Sequence, residues 1–398
     1  LLDLFSDDLR RNPFPAYERM RAAAPVFHLA ALDVWMVFDY DGVRRVLVDH
    51  DAFSSDLALA PGHGNPGEWF IFYDPPRHTK LRALIAKAFT PRVVANLEPR
   101  IRELSRQLLD QFMEQAAAGE VDLVAEFAVP LPMRVIAELV GVPTAEWPRY
   151  RRWSDVILKI ANTISRDAEA ARTLDEYRAV TAEMRTFLAD LVADRRATHR
   201  DDLLTRLVDA EVDGERLTAE ELLGFVQLLL VAGQETTATL VTNAVLCFLE
   251  NPDQLARLRA DPALWPSAIE EVLRYRSPAL WMPRVARRDV ELGGQTIPAG
   301  KVVLPMIGSA NRDAKQFPDA GLFDVGRDPN PHLAFGHGIH ACLGAPLARL
   351  EARIALADFL SRVESFEFAS PEPWPPKAAL QVHGPSRLPL RLTPRRDS

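Results

Sequence analysis

The sequence predicts a mainly α protein with small antiparallel β-sheets, folded as one domain over residues 1–398. Three observations carry this. Apolar residues recur at helical spacing along most of the chain. Strand signals are short and confined to two places. No shift of composition marks a boundary between domains.

The helical pattern is clear in Ile101, Leu104, Leu108, Leu109 and Phe112, and residues 129–139 continue it. Longer helices fit residues 173–196, 218–249 and 346–360. Thr218, with Glu221 three residues on, reads as a capping box that opens the second of these. Strands are expected at residues 34–38 and across 290–303, where Gly293-Gly294 and Pro298-Ala299-Gly300 supply the turns.

Composition excludes several function classes. Hydrophobic residues make up 48% and charged residues 26%, as in ordinary folded proteins. A net charge of -8 speaks against a nucleic-acid binder, which would show a basic face. The start, Leu1 to Asp8, lacks a basic region and a long apolar run, so no signal peptide is expected. The most apolar stretch, 222–249, is interrupted by Gln227, Gln234 and Glu235 beside Thr236 and Thr237. A carboxylate in a bilayer centre is costly, so this stretch reads as a long buried helix and not as a membrane insertion. Cys247 and Cys342 are the only cysteines, too few for a disulfide framework or a CxxC metal site. That fits a reducing, cytoplasmic compartment and leaves any cysteine chemistry to one residue.

Residues 332–344, His-Leu-Ala-Phe-Gly-His-Gly-Ile-His-Ala-Cys-Leu-Gly, are the most informative in the chain. Gly336 and Gly338 permit backbone angles closed to other residues, so the loop can turn tightly under a flat ligand. Cys342 immediately precedes a helical pattern (Leu347, Leu350, Ile354, Ala357), whose N-terminal N–H groups and dipole favour a thiolate. Gly344 would spare the approach of that helix a side chain. Together these suit a thiolate ligand to a haem iron. Three other readings compete. A lone cysteine is often only a small buried hydrophobe. Gly336-x-Gly338-x-x-Ala341 matches a dinucleotide fingerprint, but no β-branched run precedes it. His332, His337, His340 and Cys342 fit no standard zinc spacing.

Three further groups draw notice. Ala232-Gly233-Gln234-Glu235-Thr236-Thr237 places an acid and two alcohols in an apolar helix. Thr236, four residues after Ala232, can bond its carbonyl and open the helix locally, while Gly233 leaves room for a ligand. An acid beside a hydroxyl in a dry pocket can relay protons through water, although a tolerated polar patch is the plainer reading. Glu271 and Arg274, three apart, would ordinarily be a solvated surface pair. His78 and Arg82, four apart, share a helix face.

The chain resembles the cytochrome P-450 superfamily, whose haem loop reads Phe-x-x-Gly-x-His/Arg-x-Cys-x-Gly. Phe335, Gly338, His340, Cys342 and Gly344 fill every position. Ala232 to Thr236 match its oxygen-binding motif and Glu271-x-x-Arg274 its Glu-x-x-Arg, so the resemblance extends over essentially the whole chain and looks closest to soluble bacterial members. It implies the P-450 fold and haem b, with Cys342 as axial ligand. His78, Arg82, Arg284 and His340 would meet the propionates, and Ala232, Phe335, Gly336 and Gly344 would lie against the macrocycle. Glu235 would feed protons and Thr236 would hydrogen-bond the reduced dioxygen. Glu271, Arg274 and Arg327 would form a structural trio holding the loop, and Cys247 is core. Family topology places substrate against Trp69, Phe70, Leu229, Ala279, Leu280, Trp281, Met282 and Val382. The implied activity is insertion of one oxygen atom from dioxygen into a C–H or C=C bond of a hydrophobic molecule: a fatty acid, terpenoid, steroid or polyketide. NAD(P)H would act only through partners, a ferredoxin or flavodoxin with its reductase, because the haem domain takes up all 398 residues. A monomer is expected. A peroxide-driven peroxygenase and a non-catalytic haem sensor or carrier are the alternatives.

Overall fold

The structure is a computed structural model that describes residues 6–61, 69–160 and 168–395. The leader reading at Leu1 to Phe5 therefore lies outside the described residues, as do residues 62–68 of the loop before Trp69.

A long helix, Ala219–Glu250, runs through the helical body. Its start is fixed as the sequence predicts: Glu221 N donates to Thr218 Oγ1 at 3.2 Å, and Thr218 N donates to the Glu221 carboxylate at 2.9 Å. Such a box satisfies two N–H groups that a helix start would leave open. The helices Pro130–Val140, Trp265–Tyr275 and Ala345–Arg362 pack against it, and Glu98–Ala116 packs behind Ala345–Arg362. Residues 224–228 and 237–248 are buried without interruption, which explains why this helix is apolar on every side. Gly233 serves this packing. A Cβ there would stand 2.8 Å from Ile136 Cδ1, so the missing side chain admits the helix Pro130–Val140. Thr236 does not open the helix, which stays regular through 219–250.

The main sheet has five short strands in the order Val26–Leu29, Val34–Val37, Val302–Pro305, Arg284–Ala286, Phe53–Ser54. Side chains alternate across it: Trp35, Val37 and Val303 join one apolar cluster, and Met36, Phe38, Val302 and Leu304 join another. The sequence predicts antiparallel sheets, but Val302–Pro305 runs parallel to Val34–Val37. Parallel neighbours need a long crossover, and here the whole helical body is that crossover. The turn at Gly293-Gly294 joins the expected hairpin, Val290–Leu292 with Gln295–Ile297. A second sheet, Val363–Phe368, Pro389–Pro394 and Glu120–Asp122, is antiparallel throughout. The main sheet matters for function because it carries Arg284 and, just past Phe53–Ser54, Ser55 to the edge of the helical body. Among the described residues, no helix is long and apolar enough to cross a membrane.

Candidate active site

The cysteine loop turns where its glycines allow. Gly336 has φ +69° and Gly338 φ +74°, left-handed values that a side chain would strain. This folding back lets Cys342 N donate to Phe335 O at 2.8 Å. A 3-10 turn, Gly338–His340, follows, and the helix Ala345–Arg362 starts with Gly344 as its N-cap. Cys342 is exposed, yet it sits within the protein mass, where desolvation raises its thiol above the ordinary value. The Gly344 and Ala345 N–H groups oppose that, as do Arg82 and Arg349. The helix start thus favours the thiolate, as the sequence suggests, but burial outweighs it in the free thiol; an iron cation reverses that balance. At Gly344 a Cβ would meet only Cys342 Sγ, at 3.9 Å. Its bareness therefore concerns space beside the sulfur and not helix packing. Cys247 is buried and its thiol is pushed up to about 12, an inert core residue.

Beside the loop stand His78, Arg82, Arg284 and His340. His78 and Arg82 come from one face of the helix Arg77–Ala88, and Arg284 from the main sheet. The rings of His78 and His340 lie 4.0 Å apart. Arg82 donates to Ala341 O at 2.7 Å, and His340 Nε2 meets Ser55 Oγ at 2.9 Å. Arg284 is buried, and among the described residues its guanidinium bonds only the neighbouring Pro283 carbonyl, at 2.9 Å. Among the described residues none of the four has a carboxylate within ion-pair distance, and both nitrogens of His78 and Nδ1 of His340 lack a hydrogen-bond partner. Burial first, and then mutual repulsion, pushes His78 down to about 4 and His340 to about 2, and burial pushes Arg284 down to about 10 against the opposing pull of Asp74. Buried cations without anions are costly. The donor set fits a group that brings carboxylates of its own, beside a single thiol suited to iron. Among the described residues no cluster of three or more His, Cys, Asp or Glu side chains is placed to hold a metal alone.

On the central helix, Ala232 is exposed and Val231, Gly233, Glu235 and Thr236 are half-buried, between the buried stretches 222–228 and 237–248. Thr236 Oγ1 donates to Ala232 O at 2.7 Å, as its spacing predicts. Glu235 forms an ion pair with Lys377 at 2.7 Å, a partner that sequence reasoning missed because a lone lysine among prolines gives no signal. Glu271, Arg274 and Arg327 come together beneath the loop. Arg274 donates twice to Glu271 at 2.7 Å and also caps the carbonyls of Asn311, Ala320 and Leu322. Arg327 Nε reaches Glu271 at 3.1 Å. The pair Glu271–Arg274 is fully buried, so the surface-bridge reading fails. A second network also went unseen: Glu270 takes both arms of Arg349 at 2.7 Å and meets His332 at 3.0 Å, while Arg349 lies 4.5 Å over Phe335.

The residues assigned to substrate separate into groups. Leu280, Trp281 and Val382 line a cavity of about 560 Å³ closed by Tyr17, Leu304 and Met306. Ala279 bridges Val382, and Met282 packs on the sheet. Leu229 is half-buried on the central helix. Trp69 and Phe70 are buried in the helical core, where Phe70 stacks on His78 at 5.8 Å and touches Phe225. Phe70 thus covers His78, a contact the sequence reading did not foresee.

A cysteine on a turned loop, a cluster of anion-seeking side chains and an acid–alcohol pair on a buried helix define a haem-thiolate oxygenase. The family model of cytochrome P450 matches residues 23–262 and 263–386. A putative cytochrome P450, YjiB, of Bacillus subtilis (strain 168) is 45% identical over 362 residues, or 91% of this chain and 90% of that protein. The vitamin D(3) 25-hydroxylase of Pseudonocardia autotrophica is 39% identical over 406 residues, or 99% and 97%. The crystal structure of CYP109E1 from Bacillus megaterium with corticosterone aligns with TM-score 0.86 and 38% identity over 96% of this chain and 99% of that one. The chain belongs to the cytochrome P450 family. It is a haem-thiolate monooxygenase that binds haem b and uses dioxygen, with electrons from redox partners, to insert one oxygen atom into a hydrophobic small molecule.

Proposed function

We propose that this monooxygenase acts on rigid, apolar molecules of steroid size, with Cys342 as the haem ligand. The observation that carries the residue assignment is the set of four nitrogenous side chains, His78 and Arg284 buried and Arg82 and His340 half-buried, with no carboxylate at ion-pair distance from any of them among the described residues. Haem propionates would supply the missing anions, and Phe335, Gly336 and Gly344, on the cysteine loop, would lie against the macrocycle. The vitamin D(3) and corticosterone named for the two relatives support the substrate class, as does the apolar wall of Leu280, Trp281 and Val382.

Bound haem supplies the iron at which dioxygen is activated. The chain does the rest. Gly344 and Ala345 N–H groups hold the Cys342 sulfur. Thr236 Oγ1 donates its hydrogen bond to Ala232 O, so its oxygen is left to accept a hydrogen bond on the pocket side. Glu235, one residue away, is the acid that passes protons inward. Glu271, Arg274 and Arg327 hold the loop and take no part in the chemistry. We further propose one domain over residues 1–398, a monomeric state, a cytoplasmic location, and a ferredoxin or flavodoxin with its reductase as electron source.

Two measurements test this. Reduced protein with carbon monoxide should give the red-shifted Soret band of thiolate ligation, and Cys342→His should move it to the position of imidazole ligation while Cys247→Ala leaves it in place. Corticosterone should shift the ferric spin state at micromolar concentration, on the order of 10⁻⁶ M, as for ordinary enzyme ligands. A C342H variant that keeps the thiolate band removes Cys342 from the iron. A flat titration overturns the steroid assignment.

A further inference from the structure

The chain has six lysines, and among the described ones only Lys377 is buried, at 7% exposure. Its ammonium meets the Glu235 carboxylate at 2.7 Å, with side-chain exposures of 8% and 17%. Burying both charges is costly unless geometry is fixed for them. Here it is fixed, by the segment that bears the lysine. Lys377 N donates to Gly384 O at 3.0 Å, and the Lys377 carbonyl accepts from the Arg10 guanidinium.

The same segment lies along one face of the central helix. Glu235, Thr239 and Asn243 follow at four-residue steps and so share that face. Asn243 Nδ2 donates to His383 O at 2.8 Å. A Cβ on Gly384 would stand 2.8 Å from both Asn243 Oδ1 and Thr239 Cγ2, so only glycine lets the segment come this close. Two anchors at Asn243 and Thr239 thus set where the segment runs, and Lys377 falls opposite Glu235. The lysine also lines the cavity bounded by Arg10, Tyr17, Leu280 and Val382.

We propose that Lys377 is the positioning residue for Glu235, holding the carboxylate in the place from which it serves Thr236. The proposal rests on Glu235 and Thr236 acting as the proton relay. It adds a residue from a distant part of the chain, tied to the relay by the packing of residues 377–384 on the central helix. Without the ammonium, the carboxylate loses the side-chain partner that holds it and swings to whatever solvent it can reach.

The test has two arms. In protein labelled with ¹⁵N at lysine, with haem bound and no turnover, the ammonium of Lys377 should give a signal protected from water exchange, identified by its loss in Lys377→Met. Glu235→Gln should remove that protection. A Lys377 signal that exchanges as fast as those of exposed Lys80 and Lys315, or that ignores Glu235→Gln, overturns the pairing. In turnover with reductase and steroid, Lys377→Met should lower kcat about 10-fold, leave KM within about 2-fold, and release more hydrogen peroxide per product, as expected when an acid–base group is displaced but not deleted. Lys377→Arg should restore most of the rate, and Lys80→Met should change nothing. Unchanged kcat and coupling in Lys377→Met overturns the positioning role. If the wild type makes no product from any steroid, the steroid assignment fails, while the labelled spectra still decide whether the pair exists.

Discussion

Glu271 accepts two hydrogen bonds from Arg274, each 2.7 Å long, and both side chains are fully buried. The same carboxylate takes Arg327 Nε, Asn330 Nδ2 at 3.2 Å and Asp324 N at 2.9 Å, while Arg274 satisfies three carbonyls. One carboxylate thus gathers the strand-free segment 311–330 that leads into the cysteine loop. Removing one partner of such a pair leaves the other charge buried and alone, which typically costs about 3–5 kcal/mol. Arg274→Ala should lower the unfolding free energy by about that amount and yield protein that does not retain haem. Chemical denaturation and the haem-to-protein ratio measure both. A variant of normal stability and haem content would show the network to be dispensable.

Arg284 and Arg82 enter the site from different elements, so they test the carboxylate-binding cluster independently. Arg284→Leu relieves a buried cation that has no carboxylate partner in the described structure. Protein without haem should therefore be no less stable, or slightly more so, while haem dissociates faster. The thiolate spectrum of the haem still bound should be unaltered. Arg82→Leu also removes the bond to Ala341 O, so it should destabilise protein with and without haem. Haem transfer to an acceptor protein, followed alongside thermal unfolding of both forms, separates the two effects. Equal haem retention in both variants and the wild type would remove these arginines from the site.

What was legible in the sequence was local. The capping box at Thr218, the helix Ala345–Arg362 and the turn of the cysteine loop each rest on residues within a few positions of one another. The cysteine loop could be read because Cys342 and the two left-handed glycines, Gly336 and Gly338, lie within seven positions of one another. Pairings across long separations were not legible. Lys377 with Glu235, Ser55 with His340 and Arg349 with Glu270 depend on how helices and strands stack, and none has a spacing to detect. The packing of Gly233 was hidden for the same reason: a bare position in a helix can admit a ligand or a neighbouring helix, and the contact with Ile136 comes from a distant part of the chain. The parallel strand pair was hidden because direction follows from the crossover and not from the strand's residues.

His383 gives a pH dependence away from the site. Its ring is buried, meets Arg11 O at 3.1 Å and packs edge-on to Phe14. Burial first, then the Arg276 and Arg312 charges, push it down to about 3. The folded ring therefore stays neutral while the unfolded one takes up a proton below about 6.5. The unfolded state then binds more protons, so stability falls as pH drops from about 6.5 towards about 3. Between pH 7 and 4.5 this amounts to about 2–3 kcal/mol. His383→Gln cannot titrate, and its loss of stability over that range should be smaller by this amount. Urea unfolding at the two pH values measures it. Parallel losses in both proteins would mean that His383 is protonated without cost.

Thr236 and Glu235 separate oxygenation from its failures. Thr236 Oγ1 is anchored to Ala232 O at 2.7 Å, and Glu235 is anchored to Lys377 at the same distance, so the two side chains are fixed independently. Each substitution should then have its own signature. Thr236→Ala removes the hydrogen-bond partner of reduced dioxygen, so NAD(P)H oxidation should continue while hydrogen peroxide rises at the expense of product. Glu235→Gln keeps the side chain's size but removes its acidity, so turnover should slow by about 10²-fold, at the lower end of what acid–base catalysis contributes, with less change in coupling. The measurement is product formed per NAD(P)H oxidised, with a ferredoxin and reductase, in the three proteins and with peroxide supplied in their place. Product only from added peroxide would make the chain a peroxygenase. No product under either regime would leave a haem sensor or carrier. Equal coupling in wild type and Thr236→Ala would show that the hydroxyl, bonded as it is to Ala232, does no more than finish the helix's own hydrogen bonding.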